Sequence, residues 1–281
     1  MQARRNHFSL AVGRLEIEIQ DMRLQRSKSY RAEAILLRRS NLGEADRIVT
    51  LYTREFGKRR AVAKSVRRTK SRLAGHIELF THVDVYLAVG TNLDVLTQAT
   101  AIEIFPTMSN DLDRFAKASW AAEVVDRLTL VGEPDPELFT LLLATIRLLA
   151  SEDERRSIHL RQFELQALSR LGYRPHLESC VNCGGGLKEV TNQFSPGLGG
   201  VMCHTCDQDG AALTISPSAI KVMRWLEAQE MGTAARLNSN TALDAELERI
   251  HTACLNQVLG GMLRSASLLD RSRTHNAPRP V

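Results

Sequence analysis

The chain has 281 residues, 43% hydrophobic and 25% charged, with a formal net charge of +5 at pH 7. That balance suits a packed core and leaves room for two or three small domains. No apolar run approaches the ~18 residues needed to cross a bilayer, and the longest candidate, "LFTLLLATIRLLA" (138–150), contains Arg147. Near the start, "HFSLAVG" follows Arg4 and Arg5 but meets Arg14 too soon for a signal segment. A cytoplasmic protein without a membrane partner is expected, and there clustered cysteines more often hold metal than form disulfides. The charge is uneven: residues 22–100 carry 16 basic and 7 acidic side chains, residues 101–281 carry 18 and 22. One module is therefore expected to meet a polyanion.

In chain order, residues 1–29 read as an extension that is mobile, with Met22 a candidate natural start and "LEIEI" (15–19) an alternative edge strand. Residues 30–105 read as β-structure. "RAEAILLRR", "DRIVTLYT", "KRRAVAKSV", "HIELFTHVDVYLAV" and "LDVLTQATAIEIF" give five strands, with Gly57 at one hairpin turn and "GTN" (90–92) at another. Five strands in about 75 residues leave no room for crossover helices, so a small closed antiparallel barrel is the economical arrangement.

Pro106 ends that region. "SNDLDRFAKASWAAEVVDRLTL" then has apolar residues at helical spacing (Leu112, Phe115, Trp120, Val124, Leu128), with Ser109, Asn110 or Asp111 as the cap. "GEPDPELFTLLLATIRLLA", "DERRSIHLRQFELQALSRLGY", "SPSAIKVMRWLEAQE" (216–230) and "TALDAELERIHTACLNQVLGGML" (241–263) continue the helical pattern. The expected layout is a helical domain over 106–176 and 213–270, interrupted by a cysteine module at 177–212 and followed by a disordered tail at 271–281.

The module contains Cys180, Cys183, Cys203 and Cys206, spaced C-x2-C-x19-C-x2-C. Two such knuckles facing each other supply a tetrahedral thiolate set at the ~2.3 Å that zinc prefers. Four thiolates fill the sphere, so one structural Zn2+ is expected rather than a catalytic one. A ribbon that folds without metal and a redox pair are the alternatives. His176 and His204 lie close by in sequence but are not needed as ligands, and Cys254 reads as a small core residue.

Residues 54–72, "REFGKRRAVAKSVRRTKSR", hold nine basic side chains against one acid, Glu55. Such a run has a large electrostatic cost unless a polyanion relieves it. Alternation along a strand puts Lys58, Arg60 and Lys64 on one side, and "VRRTKSR" reads as a mobile basic loop. The candidate nucleic-acid-binding residues are Arg38, Arg39, Lys58, Arg59, Arg60, Lys64, Arg67, Arg68 and Lys70, with Arg47 beside them. Tyr52 and Phe56 are the stacking candidates, Phe80 a core residue. No P-loop, nucleophile elbow or H-E-x-x-H occurs, and no catalytic residue is expected. "HIE" (76–78) matches H-x-E, but neither C-x-x-C follows proline as a zinc deaminase requires.

Two blocks carry a family resemblance. "YRAEAILLRRSNLGEADRIVTLYTREFGKRRAVAKSVRR" resembles the opening of the bacterial RecO proteins, recombination mediators of the RecFOR pathway. "LQALSRLGYRPHLESCVNCG" is similar to that family's junction between a helix and its first knuckle. The resemblance spans about residues 30–265. It implies an α+β chain: an N-terminal five-stranded OB-fold barrel followed by an α-helical domain with an inserted C4 zinc module. It further implies binding of single- and double-stranded DNA on the nucleoid, annealing of complementary strands, and work with RecR and single-strand binding protein (SSB) to help load RecA. The rival is a zinc-ribbon and OB-fold regulator of transcription or translation, and a nuclease is the enzymatic rival.

Overall fold

The structure, a computed structural model, describes residues 28–151, 156–206, 212–237 and 240–276. The expectations for residues 1–27, including the edge strand and the choice of start, lie outside the described residues. The described residues divide into two compact units, one drawn from 28–105 with 129–139 and the other from 106–128 with 140–276.

The first unit is a closed barrel of five strands in the order β1-β2-β3-β5-β4. The strands are β1 (Ser29–Leu42), β2 (Asp46–Thr53), β3 (Gly57–Ala63), β4 (His82–Ala88) and β5 (Asp94–Glu103). All neighbours are antiparallel except β3 and β5, which run parallel and close the barrel. Alternation builds the interior: Ala32, Ala34, Leu36, Val49, Leu51, Ala61, Ala63, Val83, Val85, Leu87 and Leu96 form one core. Three departures from the sequence reading matter. "HIELFT" is not strand but a short helical turn and a loop that seats Ile77 and Phe80 in the interior, Phe80 at φ 69°. The register of β1 shifts between Leu36 and Arg38, so Leu37 is an extra residue and the later side chains change face. Residues 129–139, read as part of the helical domain, belong with the barrel: Val131 bridges Lys58, and the Gly132 amide donates to the Lys58 carbonyl at 3.1 Å.

The second unit contains α1 (Leu112–Leu128), most of α2 (Pro136–Ala150), α3 (Arg156–Arg170), α4 (Pro217–Ala228), α5 (Thr241–Leu259) and α6 (Ala266–Asn276). Of the three candidate caps, Asp111 starts α1, its carboxylate accepting from the Asp113 and Arg114 amides at 2.9 and 3.1 Å. Ser216 and Asn240 cap α4 and α5, and Gly172 and Gly260 end α3 and α5 in the left-handed conformation. Helix α3 packs against α1, α4 and α5. It carries a buried polar knot in which the Glu164 carboxylate accepts from the Trp120 indole (2.6 Å), meets His251 Nδ1 (2.9 Å) and pairs with Arg161 (3.0 Å). Cys254 is buried as expected.

The tail expected to be disordered from residue 271 is helical to Asn276, and residues 277–281 lie outside the described residues. The cause is a receptor on α1 that local pattern does not reveal. The Glu123 carboxylate accepts from the Arg264 and Ser265 amides (both 2.8 Å) and from Ser265 Oγ (2.7 Å), fixing the chain just before α6. Leu269 and Ser272 are then buried, and Arg273 pairs with Glu248. Among the described residues no helix is long and apolar enough to cross a membrane.

Candidate nucleic-acid interface and metal centre

Directly paired residues on neighbouring strands share a face, so the ladder registers sort the basic side chains. Arg38 is opposite Thr50, and Thr50 is opposite Arg60. This row crosses the outward side of β1-β2-β3 with Thr50 buried in the middle and exposed arginines at both ends, two strand spacings or about 10 Å apart. The next outer row is Ser40, Ile48 and Val62, and Lys64 follows, exposed, just past the end of β3. Lys58, half-buried, lies in the outer row of Ile35 and Tyr52.

Arg39 and Arg59 face the other way. Arg39 is opposite the fully buried Val49 and pairs with Glu78. Arg59 is opposite the fully buried Leu51, and its Nε donates to the Phe56 carbonyl at 3.2 Å. The extra residue at Leu37 decides the first case, because without it Arg39 rather than Arg38 would face outward. Arg47 is opposite the buried Ala63 and likewise turns away from the Arg38–Arg60 face.

The loop read as mobile is anchored over its first turn. The Ser65 amide donates to Asp46 Oδ1 (2.7 Å), the Arg67 amide to the Ala45 carbonyl (2.9 Å), and Val66 is buried. The Arg67 guanidinium donates to the Gly43 carbonyl at 2.9 Å, which holds it beside the β1–β2 turn. Arg68 and Lys70 are exposed farther along the loop. Arg38, Arg60, Lys64 and Arg67 thus extend from the outer face of β1-β2-β3 to the β1–β2 turn, the surface on which OB-folds take oligonucleotides.

The stacking candidates do not reach that surface. Tyr52 is fully buried against Phe139, ring centroids 6.5 Å apart, and Phe56 packs edge-on against Tyr30 at 4.8 Å. Phe80 is core, as expected.

The four cysteines converge. Their sulfurs lie within 4.8 Å of one another, and those of Cys183 and Cys203 are 3.8 Å apart. The edge of a tetrahedron with ~2.3 Å metal–sulfur bonds is also about 3.8 Å, so the donor set fits such an ion. None of the four is in a disulfide. The knuckles meet because His176–Val181 runs beside β7 (Gly200–Met202), itself paired with β6 (Asn192–Ser195), whose other neighbour is β8 (Leu213–Ile215). Gly200 is obligatory here, since a Cβ would lie 2.5 Å from the His176 carbonyl oxygen.

Electrostatics agree with the geometry. A hydrogen bond from Thr205, aided by Cys206, brings the Cys203 thiol down to about 6. Burial raises the Cys180 thiol, but backbone amides of Cys183, Cys203 and Asn182 outweigh it and lower it overall. Cys206 is pushed up to about 12, chiefly by Cys203 and Cys183. A thiolate beside it makes a second negative charge costly, and a cation among the sulfurs would remove that cost.

A family profile for the N-terminal part of Recombination protein O matches residues 26–105, and one for its C-terminal part matches residues 109–267. The chain belongs to the Recombination protein O family. The DNA repair protein RecO of Roseiflexus sp. (strain RS-1) is 43% identical over 249 residues, covering 88% of this chain and 87% of its own. That of Desulfitobacterium hafniense (strain DSM 10664 / DCB-2) is 36% identical over 246 residues, covering 86% and 89%. That of Symbiobacterium thermophilum is 36% identical over 248 residues, covering 87% and 98%. Both RecO profiles are met, the first on the barrel and the second on the helices with their cysteine module.

Proposed function

We propose that this chain is a DNA repair and recombination mediator. It binds single- and double-stranded DNA, anneals complementary strands and, with RecR, helps load RecA onto DNA coated by SSB, acting in the cytoplasm on the nucleoid without a catalytic site. The reading is carried by the outer row Arg38–Thr50–Arg60 with Lys64 and Arg67 beyond it, in a chain of a family whose relatives are named DNA repair proteins. Lys58, Arg68 and Lys70 extend the proposed face, whereas Arg39 and Arg59 are left out of it.

Two DNA strands repel each other through their phosphates. A cationic sheet that neutralises both lowers that repulsion and lets complementary bases meet. Each phosphate contact on a single strand adds about −0.7 to the slope of log affinity against log salt. Cys180, Cys183, Cys203 and Cys206 would hold one Zn2+, which supplies a cross-link between the two knuckles and leaves no open coordination position. Its place is structural: α4 grips the same module through Arg224, whose Nε donates to the Leu177 carbonyl at 3.1 Å.

The test is annealing of complementary oligonucleotides coated with SSB, with and without RecR. Acceleration that needs no nucleotide hydrolysis is expected. A folded protein that neither binds the oligonucleotides nor speeds their pairing would overturn the reading.

A further inference from the structure

Single-strand binders combine a cationic track with a surface on which bases rest. The barrel face has the first, but Tyr52 is buried against Phe139 and Phe56 is packed edge-on against Tyr30. Beside it lie two large apolar side chains that the protein leaves in water: Leu130 is 65% exposed and Val131 61%. Single exposed apolar residues are ordinary, but these two are adjacent in sequence and the backbone holds Val131 in place. Val131 bridges Lys58 in the ladder sense, which sets it on the outer side of the sheet one row from Arg60. The Gly132 amide donates to the Lys58 carbonyl at 3.1 Å. The Glu133 backbone rests on Gly57 so closely that a Cβ there would lie 2.0 Å from its carbonyl oxygen. Beyond it, Asp135 Oδ1 caps α2 by accepting from the Glu137 and Leu138 amides at 3.1 and 2.9 Å. The chain from Val131 onward is therefore fixed to the barrel unit.

We propose that Leu130 and Val131 form the base-contacting edge of the DNA face. An unpaired strand would lay its phosphates on Arg60, Arg38 and Lys64 and its bases against this apolar pair. The occupant is single-stranded DNA because the flanking outer row is cationic, and the proposal rests on the DNA-binding reading above. An apolar edge without rings grips any base weakly, which suits a protein that must release strands once they pair.

The test compares wild type with Leu130→Ser/Val131→Ser on a 20-nucleotide single strand and on an abasic strand of the same length and charge. Both substitutions are at exposed positions, and a thermal melt confirms folding. Roughly tenfold weaker binding of the normal strand, with the abasic strand unaffected, is expected. Leu130→Trp should tighten binding of the normal strand, with its indole emission changing on contact with bases. Unchanged affinity for both strands, or equal loss on both, would overturn the assignment of the pair while leaving the cationic face standing. A wild-type protein that binds neither strand would overturn the DNA-binding reading and this inference together.

Discussion

Gly57 and Gly43 share a backbone conformation and differ in their surroundings, so replacing each by alanine separates strain from collision. Their φ angles are 62° and 57°, and nothing lies within 4 Å of a Cβ built at Gly43. Gly43→Ala should therefore cost only the left-handed penalty of roughly 1 kcal/mol. At Gly57 the same Cβ would lie 2.0, 2.3 and 2.9 Å from the carbonyl oxygen, carbonyl carbon and nitrogen of Glu133. These are backbone atoms and cannot rotate aside. Residues 131–133 must lift, losing the hydrogen bond from Gly132 to Lys58, about 1 kcal/mol net. The contact from the Tyr52 hydroxyl to the Asp135 carbonyl (3.5 Å) loosens with it, at about 1–2 kcal/mol more. The total for Gly57→Ala is about 3–4 kcal/mol, which exceeds Gly43→Ala by a factor on the order of 100 in the opening equilibrium. Amide hydrogen exchange across β2 and β3 reads that equilibrium directly. Equal effects of the two substitutions would refute the claim that segment 129–139 is seated on the hairpin.

Cys180→Ser should lower metal content and the unfolding temperature of the helical unit while the barrel keeps its affinity for DNA; metal analysis with a melt and a binding titration checks it, and a parallel loss of DNA affinity would contradict it. His251 supplies a pH dependence. Its imidazole is buried, which holds its pKa below the ordinary value despite the hydrogen bond to Glu164, and Arg161 nearby adds to the lowering. The unfolded chain takes up that proton first, so stability should fall as pH drops below about 6.5. His251→Gln should remove that part of the decline, and an unfolding profile still as steep below pH 6.5 would exclude the histidine as its source.

Alternating apolar residues place the five strands because each inward position fills one core, and the cysteine spacing announces a four-sulfur cluster able to hold a metal because two C-x2-C knuckles can face each other. What local pattern does not carry is register and distant seating. The outward turn of Arg38 depends on one extra residue at Leu37, which periodicity cannot show. The burial of Tyr52 depends on Phe139, 87 positions away, and the helix at Ala266–Asn276 depends on Glu123. "HIELFT" alternates like a strand, yet it is a turn and loop whose Ile77 joins the barrel core and whose Phe80 is buried.

The most direct measurement is the salt dependence of single-strand binding for two matched pairs of substitutions that remove equal charge from opposite faces. Arg38→Gln/Arg60→Gln should flatten the slope of log affinity against log salt by about 1.4, two contacts at about 0.7 each. Arg39→Gln/Arg59→Gln should leave the slope as in the wild type. Equal slopes for the two folded variants, or a larger change from the second, would contradict a DNA face on the outside of β1-β2-β3.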